Sequence, residues 1–456
     1  MNEWGTQPGE TSGTGAEVGP KFNNETYLHF NKFIANVTKL FSLCITKSSQ
    51  NHPLAKLWDI YDEHVPEWLE FERYLIDLDD ILRPILEEES FISSFGRTYI
   101  NIFNGTITVN TVDFSKVDEL LALPEINPYN NSLHFKKANN SLRQLENNFA
   151  EISFLSKKTH ANMVYILTDM EYNNIVLYFF NSSVSNTDFL NAVEPFHPTI
   201  FYFDEETPQT IIRPRHDVDN SKREISTKLL DGEGLYNNAN GYLCSAGFWA
   251  MSRDEPMPLY IITAGHCINQ TSHRNDFYYV PWNWDWNTTK SNLTYIGPMI
   301  FHNRDQNPDF SVIQVDGEDV FPSFAIRNTD NDQYKEFIIT NDAPVSNQGV
   351  HICKSGYTSH FSCGFVKGLN GIFIREETYT SGLIVTDLHA ERGDSGGPVM
   401  SFISPHDLNS VILHGIHVGG GAGLAVANSI EIIFKELEEE SSIRRLEDLV
   451  LYLGNS

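Results

Sequence analysis

Two short segments far apart in the chain, Thr263-Ala264-Gly265-His266-Cys267 and Gly393-Asp394-Ser395-Gly396-Gly397-Pro398, constrain any fold this sequence adopts, because their chemistry only makes sense side by side. A serine hydroxyl is a weak nucleophile until a base takes its proton, and the base needs a third group to hold its tautomer. The first segment supplies a histidine. The second supplies a serine among glycines, in a turn that places the amides of Gly393 and Ser395 around a developing oxyanion. Between them, Asp309 heads the strand-like run Phe310-Ser311-Val312-Ile313-Gln314-Val315, and a strand can carry it to His266. Asp276, Asp285, Asp305, Asp316 and Asp319 also follow the histidine and stay open as alternatives. The residues read as acyl transfer, with Ser395 as nucleophile, His266 as base and then acid, and Asp309 orienting His266.

At 456 residues the chain is too long for one ordinary core, and two or three domains are expected. Its 60 acidic side chains against 32 lysines and arginines leave a formal charge of −28, which repels nucleic-acid backbones and anionic membrane surfaces. Acidic clusters at Glu87-Glu88-Glu89 and at residues 436–440 read as solvated helix faces. No apolar run approaches the roughly 18 to 20 residues of a membrane-spanning helix, and the first residues lack the basic and apolar regions of a signal peptide. Sequons at Asn24, Asn36, Asn104, Asn130, Asn139, Asn181, Asn269, Asn287 and Asn292 nevertheless suit a secreted glycoprotein.

Of the five cysteines, Cys44 stands apart and four fall in the second half. Those four allow three pairings, and spacing favours Cys244 with Cys267 and Cys353 with Cys363; four reduced core cysteines are the plain alternative. No Cys-x-x-Cys or His-Glu-x-x-His spacing asks for a metal, and no cofactor is expected.

Texture divides the chain. Residues 1–50 read as a disordered or leader-like segment, 51–205 as an α/β region, 206–228 as an exposed linker open to cleavage, and 229–456 as a strand-rich domain. Helical spacing runs from about Leu54 to Glu89, with Pro84 expected to interrupt it. A hairpin turning at Asn104-Gly105 is followed by a helix near Ser115–Leu123, and a second helix is expected from about Asn139 to Leu155. A second hairpin turning near Asn173-Asn174, a helix over Thr187–Val193 and an apolar run at Ile200–Phe203 repeat the theme. From Gly241 short strands alternate with turns, the pattern of antiparallel barrels, and Ile430 to Leu453 reads as a terminal amphipathic helix.

With both motifs intact, residues from about 229 to 435 resemble a chymotrypsin-fold serine protease of the streptogrisin and α-lytic branch. The resemblance extends to Cys244-Ser245-Ala246-Gly247-Phe248, to Cys353-Lys354-Ser355-Gly356 with Cys363-Gly364 and Gly368-Leu369-Asn370, and to Gly415-Ile416-His417-Val418-Gly419-Gly420. It implies a double six-stranded antiparallel barrel, all-β, preceded by an α+β pro-region similar at Ser94-Phe95-Gly96-Arg97-Thr98-Tyr99-Ile100. Such a pro-region binds its own protease intramolecularly and inhibits it until removed. Leu229-Leu230-Asp231-Gly232-Glu233-Gly234-Leu235-Tyr236 resembles a mature start, implying processing near Leu229 and a monomeric enzyme. The branch also implies a structural ion pair between Lys354 and Asp394.

His417, Val418, Gly419 and Gly420 fall on the strand along which substrate backbone pairs. The segment is similar to the pocket strand of bacterial glutamyl endopeptidases, where the equivalent histidine recognises glutamate; an imidazole there donates to, or carries charge toward, a substrate carboxylate. A histidine satisfied in the core is the bland reading, and Arg392 discriminates little. The expected function is a secreted serine endopeptidase made as a zymogen, acting on proteins or peptides and cutting after Glu. The competing reading is a catalytically silent homologue that binds peptides or inhibits partners. An esterase using Gly-x-Ser-x-Gly does not fit the order around Ser395.

Overall fold

Helical spacing between Leu54 and Glu89 resolves into two helices. The first, α1 (Pro53–Trp58), stops at Asp59, whose left-handed φ of 53° cannot continue a helix. A 3-10 turn at Asp62–His64 leads into α2 (Val65–Leu86). Pro84 does not interrupt α2. It lies in the last turn, where the one lost bond, to the carbonyl of Asp80, costs little because the helix ends two residues later. The computed structural model describes residues 49–181, 184–203, 227–253, 257–268, 272, 274–284, 293–303, 307–375, 378–421, 423–439 and 448–454. Nearly all of the segment 1–50, with Cys44, and most of the linker 206–228 lie outside the described residues, as do Asp285 and Asp305.

After α2 the chain twice builds the same unit. In the first, β1 (Phe95–Asn101) and β2 (Thr106–Thr111) form a hairpin, α3 (Val117–Leu121) crosses over, and β3 (Leu133–Lys137) lies parallel to β2. The helix α4 (Leu142–Lys158) follows, started by a capping box in which Ser141 and Gln144 satisfy each other's amides. The second unit pairs β4 (Val164–Asp169) with β5 (Asn174–Phe179), crosses by α5 (Thr187–Val193), and lays β6 (Thr199–Tyr202) parallel to β5. The repeat is thus hairpin, helix and returning strand.

A two-residue strand β7 (Thr227–Lys228) precedes a first sheet. Its members are β8 (Gly234–Asn237), β9 (Tyr242–Ser245), β10 (Phe248–Ser252), β11 (Leu259–Thr263), β12 (Asp276–Val280), β13 (Thr294–His302) and β14 (Ser311–Gln314), in the order β10-β11-β14-β13-β12-β8-β9. Only Ala246-Gly247 separates β9 from β10, so the two ends of the sheet are one bent strand and the ring closes as a six-stranded antiparallel barrel. Next come β15 (Val320–Phe321), β16 (Ala325–Arg327), β17 (Glu336–Asp342), β18 (His351–Gly356), β19 (His360–Arg375), β20 (Thr378–Thr386), β21 (Pro398–Phe402), β22 (Ser410–Gly421) and β23 (Leu424–Ser429). Pairing runs β22-β21-β18-β19-β20-β23 and back to β22, a second closed ring of six.

The expected terminal helix is shorter than read. Here α6 (Ile430–Glu439) covers the start of that segment, and Leu449–Leu451 forms a strand, β24, on the open edge of β10. Its apolar run satisfies that edge better than a solvated helix end would. Among the described residues no helix is long and apolar enough to cross a membrane, and no group of three His, Cys, Asp or Glu side chains is placed to hold a metal ion.

The amino-terminal units and the second barrel share hydrophobic core. Strand β4 pairs with the far end of β19, Ile166 opposite Ile372 and Val164 opposite Ile374, and those isoleucines pack with Leu145, Ile152, Leu177 and Phe189. Helix α2 adds two carboxylates seven residues apart, hence on one face. Glu72 accepts the His351 backbone N–H at 2.9 Å and also bonds the His351 imidazole Nδ1. Because Nε2 of that ring accepts the Phe402 amide at 2.9 Å, its proton is on Nδ1 and points at Glu72. Asp79 accepts from Asn347 Nδ2 at 2.9 Å and from Thr98 Oγ1 at 2.5 Å; burial raises its pKa, with Thr98, Asn347 and Arg83 pulling it back.

Candidate active site

His266 stands at the exit of β11, in the 3-10 turn Gly265–Cys267. The turn is tied down twice, by the disulfide from Cys267 to Cys244 of β9 and by Ser311 Oγ donating to the Ala264 carbonyl at 3.1 Å. Antiparallel register sets Thr263 opposite Ser311, so Asp309, two residues before β14, reaches the histidine turn. Its Oδ1 accepts the His266 backbone N–H at 2.9 Å and its Oδ2 lies 2.6 Å from Nδ1. A carboxylate accepts, so Nδ1 carries the proton and Nε2 keeps its lone pair for a nucleophile. The Asp309 side chain is 13% exposed and the His266 side chain 36%, a shielded carboxylate behind a reachable ring.

The serine turn depends on backbone that other residues rarely adopt, with φ of +104° at Gly393 and +89° at Gly396. A Cβ at Gly396 would sit 2.0 Å from Thr263 Oγ1 and 3.0 Å from the Ala264 amide, which shows how closely this turn presses on the histidine strand. Three further bonds hold it there. Ser245 donates its amide to the Ser395 carbonyl at 2.8 Å and its hydroxyl to the Gly393 carbonyl at 2.8 Å, while Thr263 Oγ1 donates to the Ser245 carbonyl at 2.8 Å. Among the described residues neither the Gly393 nor the Ser395 amide donates a hydrogen bond, and none joins Ser395 Oγ to His266. Such a gap is common before substrate binds.

Behind the turn, Lys354 Nζ lies 3.0 Å from Asp394 Oδ2, with both side chains 0% exposed. Asp394 also accepts the amides of Thr358 (2.9 Å), Ser359 (3.0 Å) and Glu391 (2.8 Å) and the Ser359 hydroxyl (2.5 Å). Burial alone would raise the Asp394 carboxyl; the ammonium of Lys354 and these donors outweigh it and hold the group far below the usual carboxylate range. The pair is therefore charged, although burial pulls Lys354 downward. Cys353 and Cys363 are bonded directly across β18 and β19, one residue before Lys354.

His417 is brought to the site, but by its main chain. Its carbonyl accepts the Gly396 amide at 2.7 Å and its amide donates to the Gly397 carbonyl at 2.8 Å, locking β22 to the serine turn. The ring is 3% exposed. Burial pushes it down to about 3; Asp394 pulls the other way, and Lys354 and His266 add to the depression. Burial thus favours the neutral imidazole, whose ring N–H still donates a hydrogen bond. Val418 is buried, and a Cβ at Gly419 would lie 3.5 Å from the Phe373 ring of β19. That ring stacks at 4.5 Å on Tyr165 of β4, so an amino-terminal strand backs the wall beside Gly419. Ser245 and Thr263 support the serine turn through partners remote in the chain, so no local pattern marks them for that role.

Residues 245–402 match the family model of a trypsin-like peptidase domain. A search of curated proteins finds no match. Similar solved structures include a chymotrypsin of Cellulomonas bogoriensis, 20% identical over 50% of this chain and 100% of that one, with a TM-score of 0.36. Protease A of Thermobifida fusca is 18% identical over 46% of this chain and 96% of its own, with a TM-score of 0.33. A third, described as a glutamic acid specific serine protease that utilizes a novel histidine triad in substrate binding, is 19% identical over 46% and 97%, with a TM-score of 0.35. The two six-stranded rings make a chymotrypsin-like fold, and the family-model match spans His266, Asp309, Lys354 and Ser395, with His417 beyond it.

Proposed function

We propose that this chain is a secreted serine endopeptidase made as a zymogen. Ser395 attacks the scissile carbonyl, His266 takes and returns the proton, Asp309 holds the imidazole, and the Gly393 and Ser395 amides stabilise the oxyanion. The observation that carries this reading is the pairing of His266 with Asp309 at 2.6 Å beside a serine turn pressed against Thr263. Lys354 keeps Asp394, and with it the turn, in place. A fluorophosphonate probe tests the proposal: labelling should map to Ser395 and vanish in Ser395→Ala. A folded, processed protein that resists labelling would instead favour the silent, peptide-binding homologue.

The amino-terminal units act as the pro-region, held by β4 on β19 and by Glu72 and Asp79 of α2. Cleavage falls ahead of Thr227 rather than at Leu229, because Leu229 is 0% exposed, its amide donates to the Phe321 carbonyl at 3.1 Å, and its carbonyl accepts from Trp249 Nε1 at 3.1 Å. Sequencing the amino terminus of the labelled species checks this; an intact active chain would sink the zymogen reading. The two disulfides and the sequons fit an oxidising, extracellular setting.

Glutamate is the proposed residue before the cut, with neutral His417 donating to its carboxylate. In a peptide library His417→Ala should lose Glu cleavage selectively, whereas a wild-type preference for large apolar residues would overturn the assignment.

A further inference from the structure

We infer that Asn428 is a positioning residue that fixes the proposed base against the proposed nucleophile across the gap between the two barrels. The inference rests on the roles proposed for Ser395, His266 and Asp309. Asn428 lies on β23 of the second barrel, 2% exposed, and its Nδ2 donates to the backbone carbonyl of Asp309 at 2.8 Å. Asp309 belongs to the first barrel, so this side chain crosses from one ring to the other.

Its own strand is registered to the serine turn through a short series of bonds. Residues 428 and 427 of β23 pair with Ile416 and His417 of β22, and the His417 amide and carbonyl close onto Gly397 and Gly396, directly after Ser395. On the other side of the strut, both carboxylate oxygens of Asp309 hold His266. A continuous path therefore leads from Ser395 through β22 and β23 to Asn428, and on through Asp309 to His266. The second connection between nucleophile and base, through Ser245 and Thr263, reaches the histidine from β11. The barrels also meet at the Tyr357 amide on Ser245 Oγ (2.9 Å) and at Asn307 Nδ2 on Ser381 Oγ (3.2 Å), so Asn428 acts locally, by fixing the Asp309 backbone whose carboxylate holds His266. A slip of an ångström between reacting groups is worth about a hundredfold in rate, and the side-chain bond of Asn428 goes to Asp309 rather than to Ser395 or His266, so it acts on the base through Asp309.

The test uses the full chain after its own processing. Asn428→Ala removes the donor, and Asn428→Asp keeps the shape while placing an acceptor against a carbonyl. Both should lower kcat about 10- to 100-fold with KM changed less than about threefold, and should slow fluorophosphonate labelling of Ser395 by the same factor. The low-field proton resonance of His266 Nδ1–H should move upfield in both, a change that a merely structural role would not produce. If the alanine variant loses the fold, Asn428→Ser, which keeps a donor on a shorter stem, replaces it and should fall between wild type and Asn428→Asp. Folded variants labelled at the wild-type rate, or showing a raised KM at unchanged kcat, overturn the inference. A wild-type protein that is never labelled overturns the proposed function first, which separates the two failures.

Discussion

Replacing Lys354 with methionine keeps most of the side-chain volume and removes one charge from a pair that is fully buried on both sides. Asp394 would keep the Thr358, Ser359 and Glu391 donors but lose its only counter-ion among the described residues. Breaking a buried pair by removing one partner costs about 3–5 kcal/mol, or roughly two to four orders of magnitude in the population of the intact turn. The loss should concentrate at Ser395, because Asp394 is its immediate neighbour in the turn. Labelling by a fluorophosphonate, followed as a rate, reads the turn directly; hydrogen exchange across β10 and β11 reports whether the first barrel survives. Lys354→Met should label at least a hundredfold more slowly than Lys335→Met, an exposed control. Adding Asp394→Asn should recover part of the loss, since no uncompensated charge then stays buried. Equal rates for Lys354→Met and Lys335→Met would refute the reasoning.

Glu72→Ala leaves both donors of His351 unsatisfied under α2, at about 1–3 kcal/mol each, so amide exchange across residues 347–353 of an inactive Ser395→Ala chain should accelerate about 30-fold or more; no change would remove Glu72 as a clasp. His52 caps α1 with an unprotonated Nδ1 that accepts the Leu54 amide at 3.2 Å, and burial lowers its pKa from 6.5 to about 4. Its folded pKa is depressed, so the unfolded form binds the proton first, and the stability of this cap is full above pH 6.5 and falls away as the pH drops toward 4. Exchange at residues 54–58, corrected for intrinsic rate, should rise over that window in wild type and stay flat in His52→Asn. Gly396→Ala should abolish Ser395 labelling while both barrels stay protected, because the new methyl meets Thr263 Oγ1 at 2.0 Å on backbone held at φ +89°; retained labelling would show that the turn has room to move.

The residues that were legible in the sequence are those whose neighbours constrain them locally. Gly393 and Gly396 flag a turn of positive φ by composition alone, and Asp309 announces its place because an apolar run starts beside it and sheet register does the rest. Both hairpins could be read from turn residues. What escaped was long-range. Glu72 looks like any helix glutamate, and its burial under His351, 279 residues away, leaves no period in the sequence. Asn428 and Ser245 are small polar residues in strands, where composition cannot tell a strut from a solvated edge. His417 is legible as a strand residue, whereas the burial that lowers its pKa comes from packing that leaves no local pattern. Charge patterning near residue 440 suggests a continuing helix and hides the three apolar residues Leu449, Val450 and Leu451, which pair with β10.

The pairing of Val164, Tyr165 and Ile166 with residues 372–374 has a further consequence once the two halves separate. Strand β19 would then present an unpaired row of amides and carbonyls flanked by Ile372, Phe373 and Ile374, a short apolar edge of the kind that recruits other strands. If the proposed processing releases the amino-terminal half, the remaining domain would carry a sticky ribbon. Its solubility, and its tendency to associate with copies of itself, should depend on how that hairpin rearranges, and a charged residue introduced at position 373 would guard the edge.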